Sequence, residues 1–465
     1  MTIVSEHRVL VVAGEFPPVK TIGRIRTVKF VEQLRQYGWR ASVITIEPPP
    51  GAAVPELLQE IPADIEVYRV PVPDLEAAVA TRMKRLLGRL DNPTTAVITV
   101  QTAASDASVR VDSREQRRSV LDALHGMFTG FLRNWVYIPD SYLPWARRAY
   151  RLALTICQTR PIEVVYTTLP PFSAALLGYR LRRRTGIPWV VDYRDLWFGD
   201  VLREWINPVR RKLELQLERY LMRRADVIIA VSEQKTAYLQ KLHPASHIRW
   251  ETLTNGYDPE TYDLLLTEPR RPDEFIDFVY TGRLFKNRRG YAFAEALGQL
   301  AAERPELVAP VRIHILGGIA PEIRARYDEI LARYGITRLF RFPGDVSHHE
   351  AMRAQVQTDY LLLIVDTGET SDGVIPGKLF EYVAARRPIF ALTNPGATQA
   401  IIERARLGWV VPAESVEPCK AALAEVLSQP VPEQLAADTA YLSQFERRKI
   451  SRRLARIFDE VATTR

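Results

Sequence analysis

The chain has 465 residues, 47% of them hydrophobic and 25% charged, with a net charge of +8 and a pI near 9.4. That length exceeds what one hydrophobic core organises, and the composition is that of a soluble globular protein, so two domains with a terminal appendage are expected. The two cysteines, Cys157 and Cys419, are too far apart to suggest a disulfide framework or a zinc site, and no run of about 18 apolar residues could form a membrane span.

The opening residues run straight into a strand without a basic, apolar, cleavable leader pattern, so a cytosolic protein is expected. The positive charge comes from arginine pairs and triplets such as Arg147-Arg148, Arg182 to Arg184, Arg223-Arg224 and Arg288-Arg289. A surface of this sign favours anionic partners. With no basic block interleaved with aromatics, nucleic acid is not expected among them.

In chain order, Arg8 to Ala13 reads as a first strand, closed by Gly14-Glu15-Phe16-Pro17-Pro18 and followed by a helix opening at Thr21-Ile22-Gly23-Arg24. Gly23 at that entrance would let backbone amides approach a phosphate. Ala41 to Ile46 and Ile65 to Val70 read as the next strands. Residues 71–143 then break the pattern with a long insertion. Its segments 75–90 and 114–135 mix Leu, Met, Phe and Trp with arginines, the composition of a helix at a membrane interface, where peripheral contact is one reading and packing on the domain the other. The sheet resumes at Glu163 to Thr167. The strand Pro188 to Asp192 delivers Asp192, Arg194 and Asp195 at its carboxyl end, where charged side chains of an α/β sheet commonly serve a site. Their structural reading is an Asp–Arg pair capping the next helix. Asp226 to Val231 is the last clear strand of this half, with Ser232 as the N-cap of the helix after it.

Thr254 to Pro259 is a turn and a natural hinge, and a fresh α/β set begins at Phe275. Its first strand ends in Thr281-Gly282-Arg283-Leu284-Phe285-Lys286, which offers Arg283 and Lys286 as cations for a diphosphate. Leu339 to Phe342 leads into Pro343-Gly344-Asp345, a turn that could hold a nucleobase against Phe342. The apolar run Asp359 to Val365 suits a strand buried on both faces. After it, a polar loop leads to Pro376-Gly377-Lys378, with Pro376 at the first helical position. A helix starting there aims free amides and its positive dipole end into the sheet crevice, with Glu381 one turn beyond Lys378 for ribose hydroxyls. From Arg404 onward the chain reads as mostly helical, ending in a basic amphipathic helix from Phe445 to Val461.

Taken together, Phe16-Pro17-Pro18 with Gly23 and Arg26, Pro188 through Trp197, Asn255 to Asp258, Thr281-Gly282-Arg283 with Lys286, Phe342 to Asp345 and Ile375 through Tyr382 resemble the family 4 glycosyltransferases of the GT-B architecture. The resemblance covers nearly all of the chain except residues 71–143. It implies an α/β fold of two Rossmann-like domains facing across a cleft: an acceptor domain over 1–255, a nucleotide-sugar domain over 256–440, and a helix over 441–465 returning to the first.

It further implies a retaining, metal-independent transfer of a sugar from a UDP- or GDP-linked donor to an acceptor glycan, lipid-linked sugar or small molecule, with no other cofactor. Arg283 and Lys286 would match the diphosphate-binding pair, Gly23 the amino-domain phosphate loop, and Glu381 the second glutamate of the family's E-x7-E motif. The donor site would also take in Gly282, Phe342, Gly344, Asp372, Gly373, Pro376, Gly377 and Lys378. Asp192, Arg194 and Asp195 would orient acceptor or donor sugar. Two departures stand out. Gly373 occupies the place of the motif's first glutamate, so that its contact to the donor sugar is either missing or supplied by Asp372 or Glu369, and Arg194 stands where many members carry histidine. The pattern looks like a branch acting on lipid-linked or surface-polysaccharide precursors. A non-catalytic nucleotide-sugar-binding subunit and a GT-B sugar epimerase are the alternatives.

Overall fold

Two sets of short apolar runs, most of them buried on both faces, pair into two all-parallel sheets in a computed structural model that describes residues 7–73, 135, 137–200, 203, 207–270, 274–432 and 435–463. The first sheet holds β1 (His7–Ala13), β2 (Trp39–Ile46), β3 (Glu66–Val70), β4 (Val164–Leu169), β5 (Trp189–Tyr193), β6 (Val227–Ala230) and β7 (Arg249–Thr252), in the order β3-β2-β1-β4-β5-β6-β7. The second holds β8 (Ile276–Thr281), β9 (Val311–Leu316), β10 (Phe340–Gly344), β11 (Tyr360–Ile364), β12 (Ile389–Leu392) and β13 (Gly408–Val411), in the order β10-β9-β8-β11-β12-β13. Parallel neighbours need crossovers, and helices supply them on both faces. The expected α/β architecture of two Rossmann-like domains is what the chain forms.

In the first domain α2 (Leu143–Thr159), α3 (Ser173–Thr185), α4 (Pro208–Met222) and α5 (Glu233–Leu242) pack on one face of the sheet, and α1 (Gly23–Leu34) on the other. The second domain uses α6 (Tyr291–Glu303), α7 (Pro321–Arg333), α8 (His348–Gln357), α9 (Gly377–Ala385), α10 (Ala397–Ala405) and α11 (Val416–Leu427). The last helix, α12 (Arg447–Thr463), repeats apolar residues at Ile450, Leu454, Ile457 and Phe458. That stripe lies in the core cluster of the first domain beside α1, where Phe458 meets the edges of Trp39 and Tyr166.

Each sheet reverses its strand order once, between β1 and β4 and between β8 and β11. Ligands of open α/β sheets bind at such switch points, outside the carboxyl ends of the strands. The loops expected to carry the site, after β1, β8 and β11, leave the sheets there.

Three elements differ from the sequence reading. β7 was not expected because Arg-Trp-Glu-Thr is half-exposed and reads as polar, and β13 interrupts a stretch read as helix. Pro376 is extended, with φ −60° and ψ 137°, so it caps α9 and the helix begins at Gly377. The segments 75–90 and 114–135 lie outside the described residues, apart from Trp135.

The chain passes between the domains twice, side by side: the Tyr257 amide donates to the Phe445 carbonyl (3.1 Å) and the Arg447 amide to the Tyr257 carbonyl (2.9 Å). Beside the first crossing lies a buried ion pair. Arg26 of α1 donates to both oxygens of Asp192 on β5 (2.8 and 3.0 Å) and also to the carbonyls of Leu253 (2.8 Å) and Thr254 (2.7 Å). Removing one partner of such a pair leaves an uncompensated buried charge and costs about 3–5 kcal/mol. Arg26→Ala is therefore expected to lower the melting midpoint well beyond a surface substitution, as measured by calorimetry, with Arg26→Met plus Asp192→Leu recovering part of the loss. An Arg26→Ala protein that melts with the wild type would show that the pair does not hold this junction.

Candidate active site

At the switch point of the second sheet, the end of β8 turns through Gly282, whose φ of 124° favours glycine. A methyl group there would lie 2.6 Å from the Lys378 Nζ, so the residue also makes room for that ammonium. Lys378, in the first turn of α9, carries its Nζ 3.8 Å over the ring of Tyr280. The nitrogen is shielded from solvent and has no hydrogen-bond acceptor among the described residues. Burial, and next the charge of Arg288, push its pKa well below the usual lysine value.

Arg288 approaches from the loop after β8 and donates to Asp366 Oδ2 (2.7 Å), at the end of β11. Its Nε and the Asp366 Oδ1 are likewise buried and unpaired. Three orphaned polar atoms from three segments thus converge at one crevice, where buried polar groups otherwise find partners. Above it the N-terminus of α9 has no side-chain cap, and nothing lies within 4 Å of where a Gly377 side chain would begin. Free amides, a dipole end and two cations in that setting suit an anion.

One turn along α9, Glu381 is half-buried and accepts from Gln355 Nε2 (3.2 Å). Gln355 is fully buried, accepts from the Tyr262 hydroxyl (2.6 Å) and donates to Thr281 Oγ1 (2.9 Å). The glutamate is therefore held by a chain of partners rooted in the core, where burial drives the Tyr262 hydroxyl far above its ordinary pKa.

Not all of the expected site residues are free to meet a ligand. Asp192 is fully buried, and its oxygens are taken by Arg26, the Tyr166 hydroxyl (2.7 Å) and Thr168 (3.3 Å), so it braces the domain and cannot touch a sugar. Nor does it pair with Arg194 as a helix cap. Lys286 is exposed and has no ion pair among the described residues; Arg288, missed in the sequence reading, is the cation that reaches Lys378 and Asp366. Its position in an arginine pair was the only signal. Arg283 is exposed, its Nε 3.2 Å from where a Gly318 side chain would begin. Phe342 stacks on Phe340 with centroids 6.0 Å apart and carries the Arg324 guanidinium 4.1 Å above its ring, so it is engaged inside its own domain. Gly344, with φ 85°, has open space where a side chain would start.

On the first domain, Gly23 stands against an ion pair: a methyl group there would overlap Glu15 and Arg194, which are joined at 2.7 Å. Glu15 therefore holds the entrance of α1 near the place expected for a phosphate. Asp195 is half-exposed, 3.8 Å from Lys235 Nζ, and that amine also donates to the Arg194 carbonyl (3.2 Å). Lys235 leads across the cleft. The Ser232 hydroxyl at the start of α5 donates to the Gly373 carbonyl (2.7 Å), and a side chain at Gly373 would begin 2.9 Å from Lys235 Cγ. Asp372 is exposed, and Glu369 is 80% exposed and 3.7 Å from Arg211 of the first domain.

Residues 142–256 match the family model described as a glycosyl transferase 4-like domain, and residues 276–429 match glycosyl transferases group 1. No curated protein matches the chain by sequence. Among solved structures it is similar to an α,α-trehalose-phosphate synthase (UDP-forming) from Burkholderia vietnamiensis, at 12% identity and a TM-score of 0.64 over 99% of this chain and 100% of that one. It is also similar to a glycosyltransferase from Rickettsia africae, at 13% identity and a TM-score of 0.60 over 98% of each chain. A third is HepE from Anabaena, solved with UDP and glucose, at 13% identity and a TM-score of 0.56 over 98% of each chain. At these identities the likeness is one of fold. The two family models together span more than half of the chain and fall on its two facing sheets, so the chain belongs to the glycosyltransferases of the GT-B architecture.

Proposed function

We propose that this enzyme moves a sugar from a nucleoside-diphosphate sugar to an acceptor hydroxyl with retention at the anomeric carbon, in glycan, glycolipid or glycoconjugate biosynthesis. The observation that carries the reading is the unpaired Lys378 ammonium at the crevice with Arg288 beside it and the open start of α9 above. The Anabaena neighbour, bound to UDP and glucose, supports a nucleotide-sugar donor, UDP- or GDP-linked.

The diphosphate lies against Lys378, the amides of Gly377 and Lys378, and Arg283. As the glycosidic bond breaks, negative charge grows on the departing phosphate oxygen. Preorganised cations and amides at that point lower the barrier because they are aimed where charge develops. They take the part a divalent ion would otherwise play, so the reaction needs no metal. Glu381, held by Gln355, accepts from the ribose hydroxyls. The acceptor enters from the first domain past Asp195, attacks from the face the phosphate leaves, and gives its proton to the departing oxygen. Its class is a lipid-linked or surface-polysaccharide precursor, the branch that Gly373 and Arg194 resemble.

A charge-assisted contact of this kind is worth about 1.5–3 kcal/mol, so Lys378→Met is expected to lower kcat/KM by about 10- to 150-fold in a nucleoside-diphosphate release assay. The same change removes an uncompensated buried amine, so the free protein should melt higher than wild type. Lower activity together with lower stability would point to a structural lysine instead. Activity should survive a chelator, and its loss on chelation would end the metal-free account.

Donor binding has a pH signature. Burial depresses the Lys378 pKa in the free enzyme, and a diphosphate beside it restores the charged form. Between the depressed and the restored value, binding takes up about one proton, and affinity falls as pH rises through that window. Calorimetry of UDP binding in buffers of different ionisation enthalpy reads this directly. No proton uptake at any alkaline pH would mean that Lys378 does not meet the phosphates.

A further inference from the structure

Two of the arginine clusters read from the sequence, Arg147-Arg148 and Arg183-Arg184, fall on one surface. α2, α3 and α4 lie side by side on the face of the first sheet opposite α1 and α12. Neither α2 nor α3 contains an aspartate or glutamate. The two glutamates of α4, Glu214 and Glu218, are buried at 3% and 0% exposure and accept from Arg210, Arg203 and Trp197, and from Tyr193, below the helix. The outward side of the three helices is therefore free of carboxylates. It exposes Arg147, Arg148 and Arg151 on α2 and Arg180, Arg183 and Arg184 on α3, and none of these has a carboxylate partner among the described residues.

The same surface is apolar where it should not be. Val209, Leu213 and Tyr220 are 58%, 49% and 52% exposed. With the half-buried Leu217 they stand at helical spacing and form one stripe down α4. Its Leu217 and Tyr220 end lines a groove of about 650 Å³ that reaches Tyr150 on α2 and is lined on the α3 side by Arg180, Arg183 and Arg184. Amphipathic helices with an exposed apolar stripe and flanking arginines lie in the interface of anionic bilayers, apolar side chains at the acyl boundary and guanidinium groups on lipid phosphates. A polyanion such as nucleic acid answers the charge but gives the aliphatic residues nothing to enter.

We propose that the outer face of α2, α3 and α4 is a docking surface for an anionic lipid bilayer, with the Val209–Leu213–Tyr220 stripe inserted and the α3 arginines on lipid phosphates. None of its residues belongs to the segments 75–90 and 114–135. It does not rest on the transfer reaction, because a chain inactive on every donor would still bind.

Flotation of the full chain tests it, using vesicles of phosphatidylcholine alone and vesicles containing phosphatidylglycerol. Binding is expected only to the second kind and should weaken as salt is raised. Each arginine near the surface contributes about a fivefold factor, so Arg183→Gln with Arg184→Gln should weaken partitioning about 25-fold. Leu213→Ser with Tyr220→Ser should abolish the part that persists in high salt. All four residues are solvent-exposed, and circular dichroism melts identical to wild type would show the variants folded. Three results would overturn the proposal: no binding to phosphatidylglycerol vesicles at low salt, full binding by both double variants, or binding to duplex DNA of equal charge density that the serine variant leaves as strong as to vesicles.

Discussion

A guanidinium and a carboxylate out of water, Arg26 and Asp192, hold together what the site needs from the first domain. Asp192 is the penultimate residue of β5 at 0% exposure, and Arg26 lies one turn into α1 at 8%. Their contact ties the helix that flanks the first switch point to the strand that delivers Arg194 and Asp195. The remaining donors of Arg26 go to the carbonyls of Leu253 and Thr254, so the chain's exit toward the second domain is fixed from the same atom group. Buried pairs contribute little net stability because desolvation offsets the attraction, yet a wrong arrangement leaves a bare charge inside. The pair therefore specifies geometry: only one placement of α1, β5 and the crossing satisfies all of these donors and acceptors.

Lys378 is the counterpart across the cleft and obeys the opposite logic. Arg26 has an acceptor for each of its hydrogen-bonding nitrogens, whereas the Lys378 ammonium has a ring face, a neighbouring arginine and no acceptor. A fold under selection for stability alone would place methionine or leucine there. A buried amine kept without an acceptor at the carboxyl end of two switch-point strands instead sets aside free energy that an arriving anion releases. One buried cation fixes the frame, and the other waits for its ligand.

How far this was legible in the sequence follows from range. Strands such as β1, β4 and β11 announce themselves because burial on both faces demands unbroken apolar runs, and α9 announces itself through Pro376 and its Lys-x-x-Glu spacing. The half-exposed β7 and the four-residue β13 had no such pattern. Among the expected site residues, those set by backbone position, Gly282, Gly377, Lys378 and Glu381, lie together at the end of β8 and along the first turns of α9. Side-chain partners were not legible. Nothing local distinguishes Lys286 from Arg288; the difference lies in Asp366, 78 positions along the chain. Asp192 looked like a site residue because it ends a buried strand, and only the distant Arg26 shows it to be structural. Phe342 looked free for a base until Arg324 and Phe340 were found against it.

Gly373 shows how a departure from a motif can have a steric cause. Its φ is not positive, so the backbone does not require glycine. Space does: Lys235 Cγ would be 2.9 Å and Ser232 Oγ 3.3 Å from any Cβ placed there, and both belong to the first domain. A glutamate at 373 would hold the start of α5 away from the loop, and the Ser232 hydroxyl could not reach the Gly373 carbonyl. The Thr370 hydroxyl makes a second such bond, to the Gly199 carbonyl (2.7 Å), so the loop before α9 is pinned to the first domain at two points. Losing the side chain lets the two domains meet across this loop. A carboxylate is still near, because Asp195 sits at the far end of the Lys235 side chain that touches Gly373. That carboxylate stands on the first domain and is placed by Lys235 of the same domain, whose Nζ also donates to the Arg194 carbonyl.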